Sequence, residues 1–158
     1  MTNCKDKSIS AYQDHFIREV RVNYHPTQDK PFAIRGPDDI ARFVRSVLTE
    51  NSREHFVAIY LDGAHQVASY SIISIGSANV TVVHPREIFQ RAVLTGAVSV
   101  VISHNHPSGD ATPSSADFEV TSKVKEAGLI LCIPLLDHVI VTDATYRSLQ
   151  EDPRWQVL

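Results

Sequence analysis

The stretch VVISHNHPSGDATPSSADFEVT, residues 100 to 121, constrains this chain more than any other. It reads as an apolar, buried-looking strand that breaks into two histidines one residue apart, followed by a helical segment carrying an aspartate. In an extended segment, residues two apart point to the same face, so His104 and His106 present both imidazoles to one point. Thr112 is a good N-cap and Pro113 suits the first helical position, which predicts a helix opening there. Ser114 and Asp117, three apart, then share one helical face. The tight turn HPSGD lets Asp117 come back toward the histidines. One strand end and one helix start gather two imidazoles, a carboxylate and a hydroxyl.

The rest of the chain supplies a frame for that cluster. Residues 1–14 are polar and are expected to form a mobile tail, with a single domain over residues 15–158. Arg18 to Tyr24 alternates like an edge strand, with Val20, Val22 and Tyr24 on one side. Gly36 and Pro37 open a helix on which Ile40, Phe43, Val44, Val47 and Leu48 share a face, and Asp38 and Asp39 sit at the positive end of its dipole. EHFVAIYLD and VASYSIISIG read as a hairpin turning at DGAHQ. A short TVVH strand leads into a second helix from Pro85, the strand VSVVIS follows, and the third helix is expected to end at Gly128. LILCIPLLDHVIVTD supplies two more strand-like segments around Asp137 and His138. Strands and helices interleave with no repeat or linker, which predicts one α/β (α+β) domain, a mixed central sheet flanked by helices. A chain of 158 residues, 43% of them hydrophobic, can build one such core but not two.

Composition also narrows the function. A formal net charge of −3 gives no basic field for nucleic acid or anionic lipid, which argues against both as partners. The two cysteines, Cys4 in the polar N-terminal region and Cys132 in an apolar run, form no disulfide framework, so a reducing compartment is expected. MTNCKDKSISAYQDH has no apolar core of signal-peptide length and no segment is long enough to span a bilayer. A cytoplasmic protein is the expectation.

Two histidines and one carboxylate are the protein ligands of a catalytic type of zinc site, which keeps its fourth position for water. A structural site would need four protein ligands, usually including cysteine, and none lies near. A non-haem iron centre uses the same ligand types. The deaminase pairing of H-x-E with P-C-x-x-C is absent. Water on such a metal is acidified toward neutral pH and can attack a carbonyl.

His104, His106, Ser114 and Asp117 follow the order H-x-H, seven residues, Ser, two residues, Asp. That pattern resembles, without a gap, the JAMM motif of the JAB/MPN metallopeptidases. YLD, HPREIFQRA, HNHPSGD, PSSAD and LLDHVIV are similar to blocks of its RadC-like branch, and the resemblance runs from about residue 36 to 150. It implies an MPN/JAB-type fold of cytidine-deaminase-like architecture. It also implies one Zn2+ per chain on His104, His106 and Asp117, and hydrolysis of a peptide or protein-conjugate substrate at a peptide or isopeptide bond. Two departures stand out. This chain is expected to have no room for the N-terminal helix-hairpin-helix region of longer members, and Gly76-Ser77 stands where the branch usually has Gly-Thr.

The JAMM pattern also implies a glutamate upstream of the histidines, at a strand start, to take the proton of water and pass it to the leaving amine. Glu54 fits that place. Glu87 is nearer in sequence, but it lies in the first turn of a helix, where a carboxylate is favoured anyway. Glu119 is two residues past Asp117 and points away. Ser114 is assigned the oxyanion of the tetrahedral intermediate. Asp137 and His138 are read either as orienting a ligand or as a buried structural pair. Asp110 is read as a turn residue, and His15, His25 and His65 as surface residues. The rival readings are a non-catalytic MPN-type binding module and a DNA-associated accessory protein. No ligand is missing for the first, and no basic recognition helix is visible for the second.

Overall fold

The computed structural model describes residues 31–76 and 83–158. The tail at 1–14, the strand read at Arg18–Tyr24, His15, His25, Ser77 and the first half of TVVH lie outside the described residues. Three helices and five strands follow in chain order: α1 (Pro37–Val47), β1 (Glu54–Leu61), β2 (Val67–Gly76), α2 (Pro85–Thr95), β3 (Ser99–Asn105), α3 (Ser115–Ile130), β4 (Leu135–Val141) and β5 (Tyr146–Ser148). A short 3-10 helix, Pro153–Val157, follows them. No described helix is long and apolar enough to cross a membrane.

The strands form one mixed sheet in the order β2-β1-β3-β4-β5. β1 runs antiparallel to both β2 and β3, β3 and β4 are parallel, and β5 returns antiparallel to β4. The parallel step needs a crossover, which α3 supplies. Alternation along the strands then divides the core. Phe56, Ala58, Tyr60, Val100, Ile102 and Ile140 pack with Ile88 and Phe89 of α2 and Phe118 and Val124 of α3. Val57, Ile59, Leu61, Val101, Val139 and Val141 face the other way, onto Ile40, Ala41, Phe43 and Val44 of α1. The result is an α/β domain with helices on both faces, as the interleaved sequence predicts.

Four expectations need correction. The third helix starts two residues later than read, with Ser114 as its N-cap. The Thr112 N–H is taken by Asp110 Oδ1, which holds 110–112 in a turn. The helix also runs past Gly128 to Ile130. Gly128 is needed for close packing instead: a Cβ there would lie 2.6 Å from the Ile133 carbonyl oxygen. The left-handed residue that ends this segment is the exposed Cys132, with φ of 56°. LILCI is therefore helix and turn, so only β4 forms around Asp137 and His138, and β5 is the strand not foreseen. Finally, Val83 and His84 lie in no strand, and His84 is the N-cap of α2.

Candidate metal and catalytic site

β3 runs further than its apolar core, and His104 is its penultimate residue. Alternation turns His104 to the α3 side of the sheet, where the Phe56 ring stacks on it with centroids 6.0 Å apart and 6° between planes. His106 follows the strand, its backbone N–H held by the Val141 carbonyl. His104 Nε2 lies 2.9 Å from His106 Nε2 and 3.2 Å from Asp117 Oδ1. One ligand atom from each of the three residues falls within 4.8 Å of the others.

Each of these atoms is presented by a bond on the far side of its own group. His106 Nδ1 donates to the Asp110 carbonyl at 2.7 Å, which leaves the lone pair on Nε2. Gly109, with φ of 83°, makes the turn that places this carbonyl. Asp117 is the third residue of α3, and its Oδ2 accepts from both the backbone N–H and the hydroxyl of Ser114, each at 2.7 Å. The Ser114 oxygen in turn accepts from Asp117 N–H. This reciprocal cap ties down one carboxylate oxygen and turns the other to the histidines. Burial alone would raise the Asp117 carboxyl. While His104 is protonated on both nitrogens, its hydrogen bond and charge, then the two Ser114 donors, outweigh it and hold the group well below the usual carboxylate range.

His104 is oriented through two groups that reach it from other elements. The Thr121 hydroxyl donates to the Asp117 carbonyl and accepts from His138 Nδ1 at 2.6 Å. His138 Nε2 is then an acceptor, and His104 Nδ1 donates to it at 2.8 Å. The proton order runs one way from the helix carbonyl, so the His104 lone pair sits on Nε2, facing His106 and Asp117. Burial, and next the neighbouring His104, push His138 well below the ordinary imidazole range, which keeps its ring neutral at neutral pH. Two lone-pair nitrogens and one carboxylate oxygen at a point are the donor set of a divalent cation such as zinc. Tetrahedral ligands about 2.0–2.2 Å from a zinc ion lie roughly 3.3–3.6 Å from one another, against 2.9 and 3.2 Å from His104 Nε2 to its two neighbours.

Glu54 opens β1. Phe56 pairs with His104, so two residues back along β1 and two forward along β3 bring Glu54 to the level of His106. Glu54, His106, Ser114 and Asp117 line one cleft of about 510 Å³, with Phe56, Val83, Ala116 and Val120 as its apolar wall. Glu87 is not among the lining residues, and its backbone N–H bonds the His84 carbonyl in the first turn of α2. Glu119 is exposed on α3. His55 is buried, on the opposite side of β1 from Glu54 and Phe56, with Nδ1 bonded to the Arg53 carbonyl. His65 is exposed in the hairpin turn.

Asp137 and His138 part company. His138 faces α3 and touches His104, whereas Asp137 faces away and bonds the His138 and Gln150 N–H groups and the Ser148 hydroxyl. Asp110 is a turn residue, as read. Thr121 and Asn105 join the site without any motif in the sequence to mark them. Thr121 lies one helical turn beyond Asp117, a spacing that could have raised it; Asn105 lies between two ligand candidates but on the other face.

A family model for the RadC-like JAB domain matches residues 34–155. The chain is 48% identical over 120 residues to a UPF0758 protein of Geobacillus sp. (strain WCH70), covering 76% of this chain and 53% of that relative. It is 46% identical over 120 residues to one from Halalkalibacterium halodurans, covering 76% and 52%. It is 42% identical over 134 residues to one from Bacillus cereus (strain G9842), covering 85% and 58%. The chain thus spans about half the length of the curated relatives it matches.

Proposed function

The chain belongs to the RadC-like JAB domain family, and from that premise we propose that it is a JAMM-type zinc hydrolase acting on a peptide or isopeptide bond. His104, His106 and Asp117 would hold one zinc ion, whose chemistry would be to lower the pKa of a coordinated water and polarise a carbonyl. The observation that carries the reading is Glu54. A carboxylate from a different strand shares one cleft with His106, Ser114 and Asp117, which is what proton transfer requires beyond metal binding.

Glu54 accepts the proton of the attacking water and delivers it to the leaving amine as the C–N bond breaks, so the carboxylate is regenerated with each turnover. Ser114 has one hydroxyl proton, which Asp117 Oδ2 holds in this structure. Rotating that proton into the cleft lets it serve the oxyanion, while the Ser114 backbone N–H continues to hold Asp117. The apolar wall of Phe56, Val83, Ala116 and Val120 shields the reacting carbonyl from bulk water.

The test is a pair of amide substitutions assayed on a library of fluorogenic peptide and isopeptide amides. Glu54→Gln should fold, keep its metal and lose roughly a hundredfold or more in rate. Glu87→Gln should keep its rate and lose at most about 1 kcal/mol of stability at its helix terminus. A dead Glu87→Gln beside an active Glu54→Gln would move the base to α2.

A further inference from the structure

Asn105 stands between the two histidines, but its side chain lies on the other face of the sheet and is almost completely buried. Its Oδ1 accepts from the His55 backbone N–H at 2.7 Å. Its Nδ2 donates to the Arg53 carbonyl at 2.9 Å and to Asn51 Oδ1 at 2.7 Å. The partners fix which end of the amide is which, because a backbone N–H only donates and a carbonyl only accepts.

Arg53 C=O and His55 N–H belong to the peptide groups on either side of Glu54. One carboxamide therefore grips the backbone before and after the Glu54 Cα, as a neighbouring strand would. The carboxylate itself has no hydrogen-bond or ion-pair partner among the described residues, so its place in the cleft depends on that backbone. The segment before it, residues 48–53, is neither helix nor strand. Among the described residues, Asn105 is the one side chain bonded on both sides of Glu54, and its own Cα lies between those of His104 and His106.

We propose that Asn105 is a positioning residue, which clamps the Glu54 backbone to the ligand-bearing strand and sets the distance from the Glu54 carboxylate to the metal. The inference rests on the metal-hydrolase reading above. It assigns Asn105 no contact with substrate or metal, so its substitution should move Glu54 while sparing the ligands.

Co2+ is a suitable probe, since it takes the same ligands as zinc and perturbs nearby nuclear resonances according to distance. The measurement is the Co2+-induced shift of the Glu54 side-chain carboxyl 13C signal, assigned with Glu54→Gln, together with amide exchange at His55. In the whole wild-type chain the Glu54 signal should shift strongly and the His55 amide should be protected. Asn105→Ala should bind Co2+ within about threefold of wild type, well short of the ten- to hundredfold typical of losing a ligand's own partner. Its Glu54 shift should shrink and broaden, and its His55 amide should exchange about tenfold faster or more. Asn105→Asp keeps the acceptor for His55 and loses both donors, so it serves the same test should the alanine variant not fold. An undiminished Glu54 shift in a variant that binds Co2+ would overturn the proposal. So would a loss of Co2+ as large as that of His106→Ala, because Asn105 would then serve the ligands. A wild-type chain that takes up no Co2+ would overturn the metal reading itself, a distinguishable failure.

Discussion

His138 Nε2 accepts a hydrogen bond from His104 Nδ1 at 2.8 Å, on the side of the His104 ring turned away from His106 and Asp117. The acceptor state of His138 is itself set by Thr121, whose hydroxyl is committed to the Asp117 carbonyl. Thr121→Val keeps the side-chain shape and removes that instruction. It leaves a buried imidazole N–H without an acceptor, which costs about 1–3 kcal/mol. Zinc affinity, measured by competition with a chromophoric chelator, should fall roughly ten- to a hundredfold, while Thr121→Ser stays near wild type. Equal affinity in the valine and serine variants would reduce the relay to packing.

The proposed mechanism gives Ser114 two separable duties. As N-cap it should be worth about 1 kcal/mol, so Ser114→Ala should melt earlier than wild type. As oxyanion donor it should be worth on the order of a hundredfold in rate. Zinc should be retained, because the Ser114 backbone N–H still holds Asp117 Oδ2. Ser114→Thr preserves both duties and should recover stability and rate together. A Ser114→Ala variant that is less stable but equally fast would leave Ser114 a cap alone.

Asp137 predicts a pH effect of opposite sign to the usual carboxylate. Burial pushes its carboxyl above 3.8, and bonds from Ser148, Gln150 and His138 only partly offset this. Its folded pKa exceeds the unfolded one, so between the two the folded state binds more protons and stability falls as pH rises. Asp137→Asn removes the titration and lets Ser148 act as acceptor. The difference in Tm between variant and wild type should therefore move in the variant's favour as pH rises from below 4 through the folded pKa. A difference that is flat or moves the other way would contradict the assignment. Zinc content should be unchanged, since Asp137 does not face His104.

The legible parts of the site are the local ones. His104 and His106 were readable because alternation is a property of the strand alone, and Asp117 because one loop and one helix start fix its return. Glu54 needed the resemblance, since nothing within β1 says that residue 106 will pair opposite. Ser114 is legible, but as an interior helical residue. Thr112 and Pro113 look equally fit to start the helix, and the outcome turns on the bonds that Ser114 donates to the Asp117 carboxylate. LILCI read as a strand because a short apolar run does not distinguish strand from buried helix. The pairing of Thr121 with His138 was illegible for a different reason: it forms only where α3 packs across β4.

The central claim, that His104, His106 and Asp117 hold a single zinc, is tested most directly by elemental analysis of the purified chain. Wild type, stripped with a chelator and reloaded, should return to about one zinc per chain. His106→Ala should lose most of it, and Asp117→Asn should weaken it while Glu54→Gln leaves it intact. Full zinc in His106→Ala, or a wild-type chain that binds none after reloading, would contradict the claim.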